Sequence, residues 1–212
     1  MKLSIRNKLI LGFGTLIFSF LAFGFFVYSL LNEYNEDITK FSHTKDDVFE
    51  AYSIQNDITN VWQYFTDASL TLDHKVIVNE IDPLFNSLKS KLKALTQKTS
   101  SDELKKILDE SDEFYSTGKK MFSAYSRSKT EGDLVMAEFD RVSENYISNI
   151  NEYVNSQKLR LHESYSELIK MGNSGQSNVE IFLFIAFIFS VVLSYFISRN
   201  LTVPVKALEN AM

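Results

Sequence analysis

Two short stretches of the chain place polar and aromatic side chains at one-turn helical spacings. The residues are Trp62, Thr66 and Asp67 in the first stretch, and Tyr115, Lys119 and Tyr125 in the second. Aromatic walls combined with one carboxylate or one ammonium group suit the recognition of a charged small molecule. The first interpretation is therefore a ligand pocket where the two stretches meet. The second is an ordinary aromatic core, because aromatic stripes at helical spacing are far more often core than site.

Other kinds of chemistry find little support in the residue types. His43, His74 and His162 are the only histidines, none of them shares an i, i+3 or i, i+4 spacing with another, and cysteine is absent. This spacing predicts neither a metal site nor a bound cofactor. The acidic run at residues 109–113 is typical of a solvated helix face. Because a nucleophile motif, paired catalytic carboxylates and a glycine-rich phosphate loop are missing, we expect no enzymatic activity.

Long apolar runs occur near both ends of the chain. Residues 9–31 are twenty-three uncharged residues, and residues 181–197 are seventeen. With its immediate neighbours the second run extends over residues 179–198, which makes roughly 30 Å of helix and matches the hydrocarbon core of a bilayer. The first run is longer than the apolar part of a signal peptide and has no small-x-small cleavage site. We expect transmembrane helices at residues 9–31 and 179–198.

The flanking charges predict the orientation in the membrane. Lys2 and Lys8 lie in the N-terminal segment 1–8, while Arg199 and Lys206 follow the second run. By the positive-inside rule both ends are cytoplasmic, and residues 32–178 lie outside the cytoplasm. With 25 Asp and Glu against 17 Lys and Arg, that middle part carries a net charge of −8. This acidity makes nucleic acid an unexpected partner.

The middle part is expected to be helical throughout. The whole chain has only 7 glycines and 2 prolines, which favours long helices. The apolar periodicity predicts four of them: residues 32–72, a second starting at Asp73 or at Asp82 and running to 97, a third from Ser101 to 128, and a fourth from Asp133 to 178. Short connections make this an all-α fold: an antiparallel up-down-up-down four-helix bundle flanked by two transmembrane helices.

Two details of the helices bear on packing. The first helix is predicted to turn one stripe inward, formed by Val48, Tyr52, Gln55, Ile58, Trp62, Phe65 and Ser69. Gly118, in the middle of the third helix, predicts a close approach by another helix or a ligand. Gly172 and Gly175 are a local weakness through which the fourth helix could still continue.

Several motifs resemble the sensory half of a methyl-accepting chemotaxis protein. They are residues 4–14, the pattern Arg199-x4-Pro204-x3-Leu208, and residues 61–71, 114–125 and 136–140, which are similar to a subset of chemoreceptor ectodomains. The resemblance implies that residues 199–212 begin a HAMP linker, incomplete at Met212, in which Pro204 and Leu208 help to transmit the signal. It further implies a homodimer and a stimulus delivered by a small molecule or by a periplasmic binding protein.

Two alternatives to a chemoreceptor stay open at this point. HAMP linkers also follow the second membrane crossing of sensor histidine kinases and some cyclases, so the chain could be the input half of either. A membrane-tethered structural bundle without any ligand is the third possibility.

Overall fold

Every element in the described part of the chain is helical, which confirms the all-α prediction. The structure is a computed structural model that describes the backbone of residues 5–209 and the side chains of residue 7 and residues 10–199. The elements in order are α1 (Ile5–Thr71), α2 (His74–Val76), a π-helical turn (Ile77–Ile81), α3 (Asp82–Thr99), α4 (Asp102–Arg127) and α5 (Lys129–Glu209).

The chain divides into two compact units. The central unit is Lys40–Ser164, and the terminal unit combines Met1–Thr39 with Tyr165–Met212. Residues 32 and 178, the predicted bounds of the part between the two apolar runs, lie inside continuous helices. Helix α1 is unbroken from Ile5, and α5 continues through both Gly172 and Gly175.

One apolar core occupies the central unit, and every long helix contributes to it. Its fully buried side chains include Ile54, Ile58, Val61 and Phe65 from α1, Leu88, Leu92 and Leu95 from α3, Leu104, Phe114 and Met121 from α4, and Phe139 and Ile150 from α5. Burying a side chain of this size contributes about 1.5–3 kcal/mol. The core is thus the main source of stability in this unit.

The inward stripe predicted for the first helix is partly wrong. Val48, Ile58 and Phe65 are buried as expected, but Tyr52 is exposed and Trp62 is only half-buried. The buried face runs instead through Val48, Ala51, Ile54, Ile58, Val61, Phe65 and Ala68. This set also follows three-and-four steps, and its smaller members fit between neighbouring helices where a tyrosine or tryptophan would be too bulky.

The turns between helices use side-chain caps. Asp73 accepts a hydrogen bond from the Lys75 amide at 2.9 Å, and Ser101 accepts one from the Leu104 amide at 3.3 Å, as the sequence predicted for both caps. Helix α5 starts at Lys129 rather than at Asp133, because the extended residue Ser128 alone makes the turn. The Ser128 hydroxyl accepts a hydrogen bond from the Glu131 amide at 3.2 Å.

A π-helical turn joins α2 to α3. The amide of Asp82 donates to the carbonyl of Ile77, five residues back. Ile77, Ile81 and Phe85 are buried, so the turn and the start of α3 both contribute apolar side chains to the core.

In the terminal unit the apolar side chains are exposed. Helices α1 and α5 are each long and apolar enough to cross a membrane. Within this unit Phe182 stacks on Phe23, with ring centroids 4.9 Å apart, and also on Phe26. At Gly12 an added Cβ would lie 2.7 Å from the Ile197 side chain, so the glycine permits close helix packing.

Pro204 and Leu208, the predicted transmission residues, lie on the helical backbone of α5, but their side chains are outside the described residues. Helix α5 does not begin anew at Pro204, as a separate linker helix would, and its backbone is helical on both sides of that position.

Candidate functional site

The two predicted residues Tyr115 and Lys119 come together on α4, and both contact a residue that the sequence analysis did not select. The Tyr115 hydroxyl donates a hydrogen bond to Asp82 Oδ1. The Lys119 ammonium lies 3.4 Å from the same carboxylate oxygen and 4.6 Å from the centroid of the Tyr115 ring. These contacts join the start of α3 to the middle of α4.

The aromatic neighbours of Tyr115 fix its position. Its ring stacks on Phe85 with centroids 4.2 Å apart and meets the edge of Phe65 at 5.7 Å. Gly118 makes this possible, because a Cβ there would lie 2.6 Å from the Phe65 ring. The close approach predicted at Gly118 is therefore confirmed, and the group that approaches is a core phenylalanine.

The contacts in this cluster raise the pKa values of both Tyr115 and Lys119. Burial, followed by the hydrogen bond to Asp82, raises the pKa of Tyr115. Interaction with the Tyr115 hydroxyl is the largest of the effects that raise the pKa of Lys119, and the Asp82 carboxylate adds to it. The Asp82 carboxylate thus already contacts two donors, the Tyr115 hydroxyl and the Lys119 ammonium. The cluster therefore links α3 to α4. In the sequence, the Asp82-Pro83 pair predicts a helix start and gives no sign that this carboxylate contacts another helix.

Tyr125 makes a different set of contacts. Its hydroxyl donates to Asp133 Oδ1 at 2.9 Å and lies 3.2 Å from Met136 Sδ. Its ring covers Gly132, where a Cβ would lie 2.3 Å away. Tyr125 therefore ties the end of α4 to the start of α5.

Thr66 and Asp67 do not join either cluster. The Thr66 hydroxyl donates to the Trp62 carbonyl of its own helix at 3.0 Å. The Asp67 side chain is exposed and has no ion pair in the described part of the chain. The six predicted residues are therefore distributed over separate contacts.

Trp62 instead lines a groove of about 470 Å³ between α1 and α5 in the central unit. Its other wall consists of Asp140, Ser143, Glu144, Ile147, Ser148 and Asn151. At one end of the groove the Gln55 side-chain amide donates to Asn151 Oδ1 at 2.5 Å. We name this the α1–α5 groove.

The sequence predicts Trp62 as a site residue but none of the α5 residues opposite it. Their spacing does indicate that they share one side of a helix, because Asp140, Glu144, Ile147 and Asn151 follow steps of four, three and four along α5. They flank the buried face formed by Phe139, Val142, Tyr146 and Ile150. What the sequence could not supply was which face of which helix would lie opposite them.

No three Asp, Glu, His or Cys side chains lie together in a metal-binding arrangement within residues 10–199. His74 meets the edge of Phe122 with ring centroids 5.9 Å apart.

Comparison with known proteins gives no assignment: no family model, no curated protein and no solved structure matches the chain. The chemoreceptor resemblance, the homodimer and the receptor function accordingly stay predictions.

Proposed function

We propose that the chain is the sensory module of a transmembrane chemoreceptor, which detects a stimulus outside the cytoplasm and transmits it through its second membrane helix to a HAMP linker. The single observation that carries this proposal is the contrast between the two units. In the apolar stretches of α1 and α5 almost no side chain is buried, although the central unit buries its apolar side chains fully. In a bilayer, lipid would surround those stretches, and their apolar side chains would not be exposed to water.

The proposed arrangement of the central unit is an antiparallel up-down-up-down four-helix bundle. Its cross-helix contacts support this, because partner numbers fall on one helix as they rise on the other. The contacts are Asp47 with Lys98 and Asp57 with Lys91 between α1 and α3, Asp82 with Lys119 and Lys89 with Asp112 between α3 and α4, and Glu110 with Asn149 and Lys120 with Glu138 between α4 and α5. Antiparallel neighbours are also what short connections require.

The proposed topology is a two-pass protein of the bacterial inner membrane. Lys2, Arg6 and Lys8 precede the first span at residues 9–31, and Arg199 follows the second at residues 179–198. The positive-inside rule then leaves both ends in the cytoplasm and the bundle outside.

The proposed mechanism is a shift of population between two arrangements of the helices. A ligand that binds one arrangement more tightly than the other favours it by that difference in affinity and by nothing else. Helix α5 carries the change, since Lys129–Glu209 is helical from the bundle contacts of Lys129 and Glu138 to the backbone at Pro204. In a receptor the same module forms a homodimer, and its stimulus is a small molecule or a ligand-loaded periplasmic binding protein.

Topology is tested with single-cysteine variants, which are clean because the chain has 0 cysteines. Ser123→Cys lies at an exposed position of α4, and Ser4→Cys lies before the first apolar run. In intact bacterial cells a membrane-impermeant maleimide is expected to label Ser123→Cys, and to label Ser4→Cys only after lysis. Labelling of Ser4→Cys without lysis, or protection of Ser123→Cys, contradicts the proposed orientation.

Sensing is tested by joining the chain at residue 212 to the cytoplasmic part of a chemoreceptor with a measurable output. We expect at least one class of stimulus to change the output. The matched control is the same fusion with Phe114→Ala, which removes a fully buried ring from the core and should abolish the response without abolishing membrane insertion. Silence of the intact fusion across a broad stimulus set favours the structural bundle.

A further inference from the structure

The α1–α5 groove contains two carboxylates that have no lysine partner in the described part of the chain. At three other contacts between helices of the central unit a carboxylate does meet a lysine: Asp57 with Lys91 at 2.6 Å, Asp47 with Lys98 at 2.5 Å, and Glu138 with Lys120 at 2.7 Å. In the groove, Asp140 and Glu144 form no ion pair with any described residue.

The neighbouring helix cannot supply the missing cation. From residue 46 to residue 71, which ends α1, the sequence contains no lysine and no arginine. Arg141, the basic residue adjacent to Asp140, makes no ion pair among the described residues either. What faces the two carboxylates across the groove is the half-buried indole of Trp62.

We propose that the α1–α5 groove binds a small organic cation with a compact ammonium head group. Trp62 brings an indole ring to the wall of the groove, and tryptophan is the aromatic side chain that attracts such cations most strongly. Asp140 and Glu144, one helical turn apart and thus with Cβ atoms about 6 Å from each other, supply the opposite charge. Ile147 provides an apolar surface for the alkyl part.

The rest of the groove fits the same ligand class. Its volume of about 470 Å³ is in the range of small-molecule sites. The Ser148 hydroxyl and the Asn151 side-chain amide lie at its wall, and the Asn151 oxygen already accepts from Gln55, which orients the amide nitrogen away from Gln55. Ca²⁺ takes six to eight oxygen ligands, whereas the Asn151 oxygen is already engaged by Gln55 and Trp62 and Ile147 contribute apolar surface, so an inorganic divalent cation is the less suitable occupant.

This inference deepens the proposed sensory function, on which its biological meaning rests. A cation that bridges Trp62 on α1 and Asp140 on α5 would bind more tightly to one spacing of these two helices than to another. That difference in affinity is what a population shift requires. The binding itself can be measured without any signalling output, so a failure here and a failure of the receptor proposal are distinguishable.

The test uses the full chain in detergent micelles and its own fluorescence, because Trp62 is the single tryptophan of the sequence. Choline serves as the cationic probe and 3,3-dimethylbutan-1-ol as its uncharged analogue of nearly the same shape. We expect choline, titrated to about 10 mM, to change the tryptophan emission with saturation, and the alcohol to change it at least tenfold more weakly. Equal responses to the two probes overturn the proposal, as does the absence of saturation with choline or a saturating response to Ca²⁺ alone.

Variants locate the binding. The double variant Asp140→Asn/Glu144→Gln keeps the fluorophore and should weaken choline binding about tenfold, since it removes both attractive charges. The matched control is Glu163→Gln/Glu167→Gln, which has the same spacing on the same helix and the same change in net charge, at exposed positions outside the groove. Its affinity for choline should stay within about twofold of wild type. Equal weakening by both double variants overturns the site, because it would reflect net charge alone.

Discussion

The central and terminal units use the same kinds of side chain in opposite ways. Phe65, Phe114 and Phe139 are 0% exposed in the central unit, whereas Phe20 and Phe25 are each 75% exposed in the terminal unit. A protein surrounded by water hides such rings, because each buried large apolar side chain contributes about 1.5–3 kcal/mol. The proposed two-pass topology accounts for this difference, because it places the terminal unit in lipid and the central unit in water.

The local sequence already contains this difference. In the central unit, apolar residues recur at three-and-four steps and leave the other faces of each helix polar. In the terminal unit, residues 9–31 and 181–197 contain no charged residue, so these stretches have no charged face, which suits a helix surrounded by lipid. Substitutions of one type placed in both units can therefore break or sharpen the comparison.

Aspartate substitutions give the largest expected contrast. Ile185 and Leu159 are both on α5 and similarly exposed, at 60% and 65%. If a bilayer surrounds the terminal unit, Ile185→Asp costs about 2.5–3.5 kcal/mol of insertion free energy. Leu159→Asp, in the central unit, should alter stability by no more than about 0.5 kcal/mol.

The measurement is the fraction of chain that resists alkaline extraction from bacterial membranes. We expect wild type and Leu159→Asp to stay in the membrane fraction and Ile185→Asp to be depleted from it. If Ile185→Asp is retained as well as Leu159→Asp, the apolar surface of α5 is not in contact with lipid and the two-pass proposal fails.

The fold was predictable where the pattern was strong and local. Caps at Asp73 and Ser101 could be identified because a polar side chain stands directly before an apolar periodic run. The start of α5 was missed, since Gly132 and Asp133 look like a turn and only the Tyr125 ring packed on Gly132 shows why the helix includes them. Tertiary packing decided that boundary, and no local propensity reports it.

The candidate site was predictable only in part, for a similar reason. Aromatic and polar residue types led to Trp62, Tyr115 and Lys119, yet their partners Asp82 and Glu144 lie on other helices. The face that α1 turns toward the core differs slightly from the predicted one. Trp62 therefore lies beside the core and not within it. Two stripes with similar periodicity were possible in that helix, and packing against three neighbours selected one of them.

Alanine at two glycines gives the next largest contrast. A Cβ at Gly118 would lie 2.6 Å from the Phe65 ring, whereas at Gly175 in the terminal unit it would meet nothing within 4 Å. Gly118→Ala should therefore destabilise the central unit by about 1–3 kcal/mol through overpacking. Gly175→Ala should leave stability unchanged or raise it by up to about 1 kcal/mol, because alanine favours a helix over glycine.

Both alanine variants are compared with wild type by urea unfolding of the full chain in detergent micelles, followed by circular dichroism. A neutral Gly118→Ala would mean that Phe65 can move aside, and the close packing of α1 on α4 would then be looser than the structure describes.

The smallest expected effect concerns a hydroxyl in the core. Tyr146 is 1% exposed, stacks on Phe114 at 4.9 Å, and its hydroxyl has no hydrogen-bond partner among the described residues. A buried hydroxyl without a partner costs about 1–3 kcal/mol relative to one in water. We expect Tyr146→Phe to be neutral or to stabilise the chain by about 1 kcal/mol at pH 7, whereas Tyr52→Phe, at a more exposed tyrosine, should change stability by less than about 0.5 kcal/mol.

Alkaline pH separates this explanation from a simple packing effect. Burial raises the pKa of Tyr146 well above its ordinary value of 10.0, so the folded chain keeps a proton that the unfolded chain releases. This group therefore leaves stability independent of pH below about pH 10 and lowers the stability of wild type as the pH rises further. Unfolding measured at intervals from pH 8 to about pH 11 should show a steeper loss of stability for wild type than for Tyr146→Phe. Parallel curves would mean that water reaches the hydroxyl, and the core around Tyr146 would then be as open to solvent as the groove beside Trp62.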